Sequence, residues 1–204
     1  MSTFSNADTG NKNADPYTQK NLDEPSLKEK SEDLFSFIDK TKFCLLTTQT
    51  ADSDLLASRA MALAAKEGNG FDLLFHTNTE SGKTDDLKEH SSVNIGFINS
   101  SGEWASISGH ASIETDRSVV KKHYSPALKA WIGDLGDGTH DGGPEDPRIG
   151  IIRVKASTIQ YAVSKRTSIG GFVELAKGVA TGETPSVNKL RHISEAEIKQ
   201  WQGQ

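Results

Sequence analysis

From Leu27 the apolar residues Leu27, Leu34, Phe35 and Ile38 recur at helical spacing, which predicts an amphipathic packing helix ending near Lys40. Ser26 precedes it as an N-cap, and Glu29 three residues on completes a capping box. The period then shortens. Phe43–Gln49, Leu56–Ala64 and Gly70–His76 read as successive strands with short polar connections, the pattern of an antiparallel meander. The polar stretch Thr79–His90 is helical in character, and Val93–Asn99 and Trp104–Thr115 resume strands. Asp116 caps a helix over Arg117–His123, and a second helix starting at Pro126 carries Leu128, Trp131 and Ile132. Gly133–Pro147 is rich in Gly and Asp and reads as a loop, followed by a last strand over Ile149–Val163. Gly170–Gly182 reads as a short helix or loosely ordered arm, and Ile193–Trp201 as a C-terminal helix. Five or six strands without regular βαβ alternation predict a small antiparallel barrel with peripheral helices, an α+β fold that is mainly β. Residues 26–204 form the domain. Residues 1–25 hold few large apolar side chains and read as a mobile tail.

Composition narrows the function classes. The 204 residues carry 23 Lys and Arg against 28 Asp and Glu, a net charge of −5, which argues against a general nucleic-acid binder. A single Cys excludes an internal disulfide or a thiolate zinc cage. Cys44 sits between Phe43 and Leu45 and reads as a buried apolar residue. The six His show no metal-ligand spacing, and the acids of the Gly-rich loop lack the rhythm of a calcium loop. No apolar run approaches the roughly 18 residues that cross a membrane, and the N-terminus lacks the pattern of a signal peptide. The expectation is a soluble, cytoplasmic protein.

Two cations stand out. Gly82–Lys83–Thr84 has the ending of a phosphate loop, but Thr77 stands where GxxxxGKS/T needs its first Gly. Ser81 can still cap a helix whose free N–H groups and dipole, beside Lys83, form an anion site. Arg59 lies inside the apolar strand SRAMALA, where a guanidinium is costly unless a fixed anion meets it.

Arg59–Ala60–Met61, then Phe75–His76–Thr77, then Ser81–Gly82–Lys83 form a constellation whose order and spacing resemble the FMN-binding split-barrel superfamily typified by pyridoxamine 5′-phosphate oxidases. Within it the chain is most similar to the general-stress-protein branch and the fungal blue-light-inducible flavoproteins, over roughly Leu27 to Arg191. The resemblance implies a six-stranded antiparallel split β-barrel that binds FMN, or FAD, and a homodimer with flavin at the subunit interface. Arg59 and Lys83 would grip the flavin phosphate, with Ser81, Gly82 and Thr77 beside it. The backbone of Arg59–Ala64, including Ala62, would follow the isoalloxazine edge, and Ala60 and Met61 would pack on the ring. His76 would flank the cofactor, and Trp104 stands where the oxidases carry a cofactor-contacting Gln. Trp131 matches a position at which the stress-protein branch also carries aromatics. For Trp131 a core or dimer anchor is an equal alternative.

The departures are specific. Ala162 stands where the oxidases have a Trp in the last strand, and no Arg-Leu-His segment follows. Losing both removes stacking area and a phosphate clamp, which argues against pyridoxamine-phosphate oxidation itself. Lys165 and Arg166 are the nearest substitutes for the anion contact, although two adjacent cations at a strand end read first as solvated charges. No motif identifies a catalytic acid or base. The expected function is a flavin-dependent oxidoreductase linked to stress or light. The alternatives are a non-catalytic flavin carrier or sensor, or a cofactor-free interaction barrel.

Overall fold

The computed structural model describes residues 14–165 and 168–203. Its strands are β1 (Phe43–Gln49), β2 (Leu56–Glu67), β3 (Asp72–Asn78), β4 (Ser92–Ile98), β5 (Trp104–Glu114), β6 (Ile149–Ser164) and β7 (Asn188–Ile193). Its helices are α1 (Pro16–Asn21), α2 (Leu27–Thr41), α3 (Gly82–Glu89), α4 (Arg117–His123), α5 (Leu128–Ile132), α6 (Ser168–Thr181) and α7 (Glu195–Gln202). The strand order β3-β2-β1-β4-β5-β6 closes on itself through a β3–β6 pairing, so six antiparallel strands form the barrel, as expected, and β7 pairs with β6 outside it.

Alternation along the strands decides what lies inside. In β1, Cys44, Leu46 and Thr48 are buried, while Phe43 and Leu45 face outward. Leu46, Phe75, Ile95, Phe97, Ile107, Ile152, Val154 and Ile159 fill the interior, and α2 covers the cluster with Leu34, Phe37 and Ile38. A second, smaller cluster of Leu74, Val120, Ile149 and Ile151 lies under α4 and α5. The long β6 serves three neighbours in turn, and its register against β5 shifts between Ser108 and Gly109. A Cβ at Gly109 would stand 2.0 Å from the Lys155 carbonyl oxygen, so the bulge can form only at a glycine.

Two expectations need correction. Residues 14–25 are not a mobile tail. Pro16 starts α1 under an Asp15 cap, and buried Asn21 donates to the carbonyls of Tyr17 and Pro185. Asn21 also accepts from the N–H groups of Val187 and Asn188. Residues 1–13 of that predicted tail lie outside the described residues. Ile193 ends a strand, β7, rather than beginning a helix; α7 starts at Glu195 behind a complete Ser194–Glu197 capping box. β7 escaped the pattern because its sequence, NKLRHI, is mostly polar. Its Arg191 has a fully buried side chain, paired with Asp23, Glu29 and Asp33 and bonded to the Tyr161 hydroxyl. That guanidinium fastens the segment before α2 to β7, which amphipathic periodicity does not report.

Candidate functional site

The register of β1 on β2 aligns Leu46 with Arg59, Cys44 with Met61, Leu45 with Ala60 and Phe43 with Ala62. Arg59 and Met61 therefore share the inward face, whereas Ala60 and Ala62 share the outward face with Phe43 and Leu45. Met61 packs against the barrel core. Ala60 and Met61 thus cannot present their side chains to one surface, as a shared ring contact would require. Beyond β1, β2 gains its second neighbour late: its pairing with β3 begins only at Leu63. Over Leu56–Ala62 the strand is paired on one side, so alternate N–H and C=O groups of that edge face a gap in the wall.

Arg59, in the middle of that stretch, belongs to a cluster of cations. Arg59 donates from Nη1 to Thr48 Oγ1 at 2.8 Å and from Nη2 to Asp86 Oδ2 at 2.7 Å. Thr48 in turn donates to Asp86 Oδ2 at 2.9 Å, and the Ala51 N–H donates to Asp86 Oδ1. The anion that Arg59 demands is thus supplied from within, by a buried carboxylate on α3. Burial pushes the Asp86 pKa up, but the Thr48 hydroxyl, the Ala51 N–H and Arg59 outweigh it and hold the group below its usual range. Three residues earlier on the same helix, Lys83 Nζ donates to Ser81 Oγ at 2.8 Å. Its pKa is lowered by burial and then by the charge of Arg59, so the two cations are electrostatic neighbours. With Asp86 the cluster carries one net positive charge.

Ser81 occupies the N-cap of α3, but its side chain makes no capping bond. It donates instead to the Asn78 carbonyl at 2.7 Å and accepts from Lys83. Gly82 is open, with no heavy atom near its absent Cβ, so the helix mouth is approachable. Thr77 is buried, and its hydroxyl donates to the Asn78 carbonyl.

The remaining predicted residues lie apart. His76 is bonded through Nε2 to the His123 carbonyl on α4 at 2.7 Å, and burial lowers its pKa. Trp104 is half-buried at the start of β5, beside Ile98 and Ala162 in register. Trp131 is 86% exposed, which removes the core-anchor reading within this chain. Lys165 donates to Ser186 on the surface, and Arg166 lies outside the described residues. Cys44 is buried, its thiol pushed up to about 12 by burial. Thr48 and Asp86 were missed. The signal available for Asp86 was positional: an acid one helical turn after Lys83 on the helix expected to face Arg59.

The donor set fits a phosphate: an ammonium without a carboxylate contact among the described residues, a guanidinium held in place, and an uncapped helix N-terminus. Residues 29–186 match the family described as pyridoxamine 5′-phosphate oxidase like. The Neurospora crassa protein bli-3 is 60% identical over 200 residues, covering 97% of this chain and 96% of that one. General Stress Protein 26 of Bacillus anthracis superposes with a TM-score of 0.53 at 26% identity, covering 66% of this chain and 92% of that one. A general stress FMN/FAD binding protein of Xanthomonas citri has the same fold, with a TM-score of 0.54 at 22% identity, over 66% of this chain and 88% of its own. From its barrel and from these matches, the chain belongs to the pyridoxamine 5′-phosphate oxidase-like family.

Proposed function

We propose that the chain binds a flavin nucleotide, FMN or FAD, with its phosphate on Lys83, Arg59 and the first N–H groups of α3, in a homodimer whose interface includes the flavin. The observation that carries this reading is Lys83: a partly buried ammonium beside a second cation, with a hydroxyl as its hydrogen-bond partner. Such a charge is a cost to the fold that an arriving phosphate turns into a gain. The Arg59–Asp86–Thr48 bonds fix the guanidinium before the ligand arrives, so little ordering entropy is lost on binding. The half-paired edge of β2 supplies backbone donors and acceptors for the polar rim of the ring. The description of the Xanthomonas citri relative as FMN/FAD binding supports the same ligand class. The homodimer is supported by the exposed apolar residues on the outer barrel face.

When bound, the isoalloxazine supplies hydride or single-electron chemistry. The protein's part is to bind, orient and shield. We read the chain as an oxidoreductase with a stress- or light-linked role, and Ala162 argues against the pyridoxamine-phosphate reaction. A carrier or sensor is the second reading: the charged groups of the cluster, Arg59, Lys83 and Asp86, all serve to hold a phosphate in place. Purified protein should absorb at about 450 nm and release a flavin nucleotide on denaturation, identified by mass spectrometry. A colourless protein that takes up no added FMN contradicts the proposal. Anaerobic bleaching by NADH or NADPH separates the oxidoreductase from the carrier.

A further inference from the structure

The excursion between β6 and β7 is built unlike the rest of the chain. Its neck is closed by the Lys165 N–H donating to the Val187 carbonyl at 2.9 Å, and α6 occupies the loop beyond. Phe172, Leu175, Ala176 and Val179 fall at i, i+3, i+4 and i+7, one continuous stripe, with Val173 beside it. Phe172, Val173, Leu175 and Val179 are 54–84% exposed, and none belongs to either core cluster. The helix also contains Gly170, Gly171 and Gly178, each costing about 1 kcal/mol relative to Ala in a helix interior. A 14-residue helix of that composition is marginal by itself and needs its apolar face covered.

A second uncovered apolar surface lies on the barrel wall. Phe43, Leu45, Leu56 and Ile98 are 49–71% exposed, and Ala60, Ala62 and Gly96 lie between them in register. The arm leaves the barrel at the border of this face, because Ile98 pairs with Trp104 and Trp104 with Ala162, two residues before the end of β6. At ordinary side-chain areas each set exposes roughly 400 Å², the size of the largest apolar patch on a typical monomer, which is often a contact site. Together they reach about 800 Å², the area one partner contributes to a stable interface. We infer that α6 is an exchanged arm: the Phe172–Val179 stripe of one copy docks on the β1–β2–β4 wall of a second copy, and the reverse, about a two-fold axis. A lipid surface is disfavoured as the occupant by charge. Glu174 and Lys177 are the only charged residues of α6, so it lacks the basic polar face of an interfacial helix.

This inference rests on the paired-subunit reading proposed above, and sedimentation velocity of the full-length protein tests the two separately. Wild type should sediment at twice the 22.1 kDa chain mass. Phe172→Asp/Val179→Asp and Leu45→Lys/Ile98→Lys change exposed side chains; each should fold, by circular dichroism, yet weaken self-association about a hundredfold or more. An equimolar mixture of the two variants should regain the dimer, since one arm–wall contact is then native and the other pairs Asp with Lys. A monomeric wild type overturns both the arm and the paired-subunit reading. Arm variants that stay dimeric overturn the arm contact alone, and two monomeric variants that fail to combine overturn the exchange.

Discussion

Lys83→Met separates binding from folding more sharply than any other substitution in the cluster. Burial and the neighbouring Arg59 charge both lower the Lys83 pKa, so the unfolded chain holds that proton more tightly than the fold does. Protonated Lys83 is therefore a cost to stability at neutral pH, and Met keeps the stem while removing the charge. The melting temperature of the ligand-free variant should equal or exceed that of wild type. Flavin affinity should move the other way. One charge-assisted hydrogen bond to phosphate is worth about 1.5–3 kcal/mol, which is roughly a 10- to 150-fold rise in Kd. Fluorescence-quenching titrations with FMN and with riboflavin isolate the cause, because riboflavin has the same ring and no phosphate. FMN affinity should fall by that factor while riboflavin affinity stays within about twofold. Equal losses for both ligands, or a variant that melts well below wild type, would refute the assignment of Lys83 to the phosphate.

Other substitutions test neighbouring parts of the account. Asp86→Asn removes the anion that holds Arg59 and should lower stability by about 2 kcal/mol, roughly 4–8 °C in Tm for a chain of this size, read by calorimetry. Arg59→Ala should weaken FMN far more than Lys165→Ala, whose side chain donates to Ser186 on the surface; equal losses in titration would contradict the clamp. Arg191→Met strands three carboxylates around a buried site and should cost about 3 kcal/mol or more, with native-state proteolysis newly cutting within residues 14–25. Asp146, fully buried, is held at about 2 by hydrogen bonds from Arg148, against the effect of burial. Its folded pKa lies below the unfolded value of 3.8, so its contribution of about 2 kcal/mol is complete above pH 4 and fades as pH falls towards 2. Asp146→Asn should be less stable at pH 6 by urea unfolding, with the gap to wild type closing as the pH approaches 2.

The barrel was legible because its strands alternate. Phe43–Gln49 places every second residue inside, and the predicted span matches β1. Arg117–His123 was legible because Asp116 is a strong cap: its carboxylate accepts from the N–H groups of Ser118 and Val119. What escaped was held by polar contacts over long sequence distance. β7 reads as polar because its central Arg191 finds acids 158–168 positions away, and no local period encodes that. α1 was hidden in a segment of tail-like composition, its order supplied by Asn21 bridging to Val187 and Asn188. The cations of the site were visible as violations of pattern: a guanidinium in an apolar strand and a lysine at a helix start. Their geometry was not. Sequence can say that Arg59 needs an anion, but the register that brings Thr48 and Asp86 to it is a property of the closed barrel.

The decisive measurement is a crystal structure of the full-length protein grown with FMN. Phosphate oxygens should lie within hydrogen-bonding distance of Lys83 Nζ, the Arg59 guanidinium and the first backbone N–H groups of α3, with the Arg59–Asp86 pair still in place. Flavin bound with its phosphate remote from Lys83, or Arg59 and Lys83 turned away from the ligand, would contradict it.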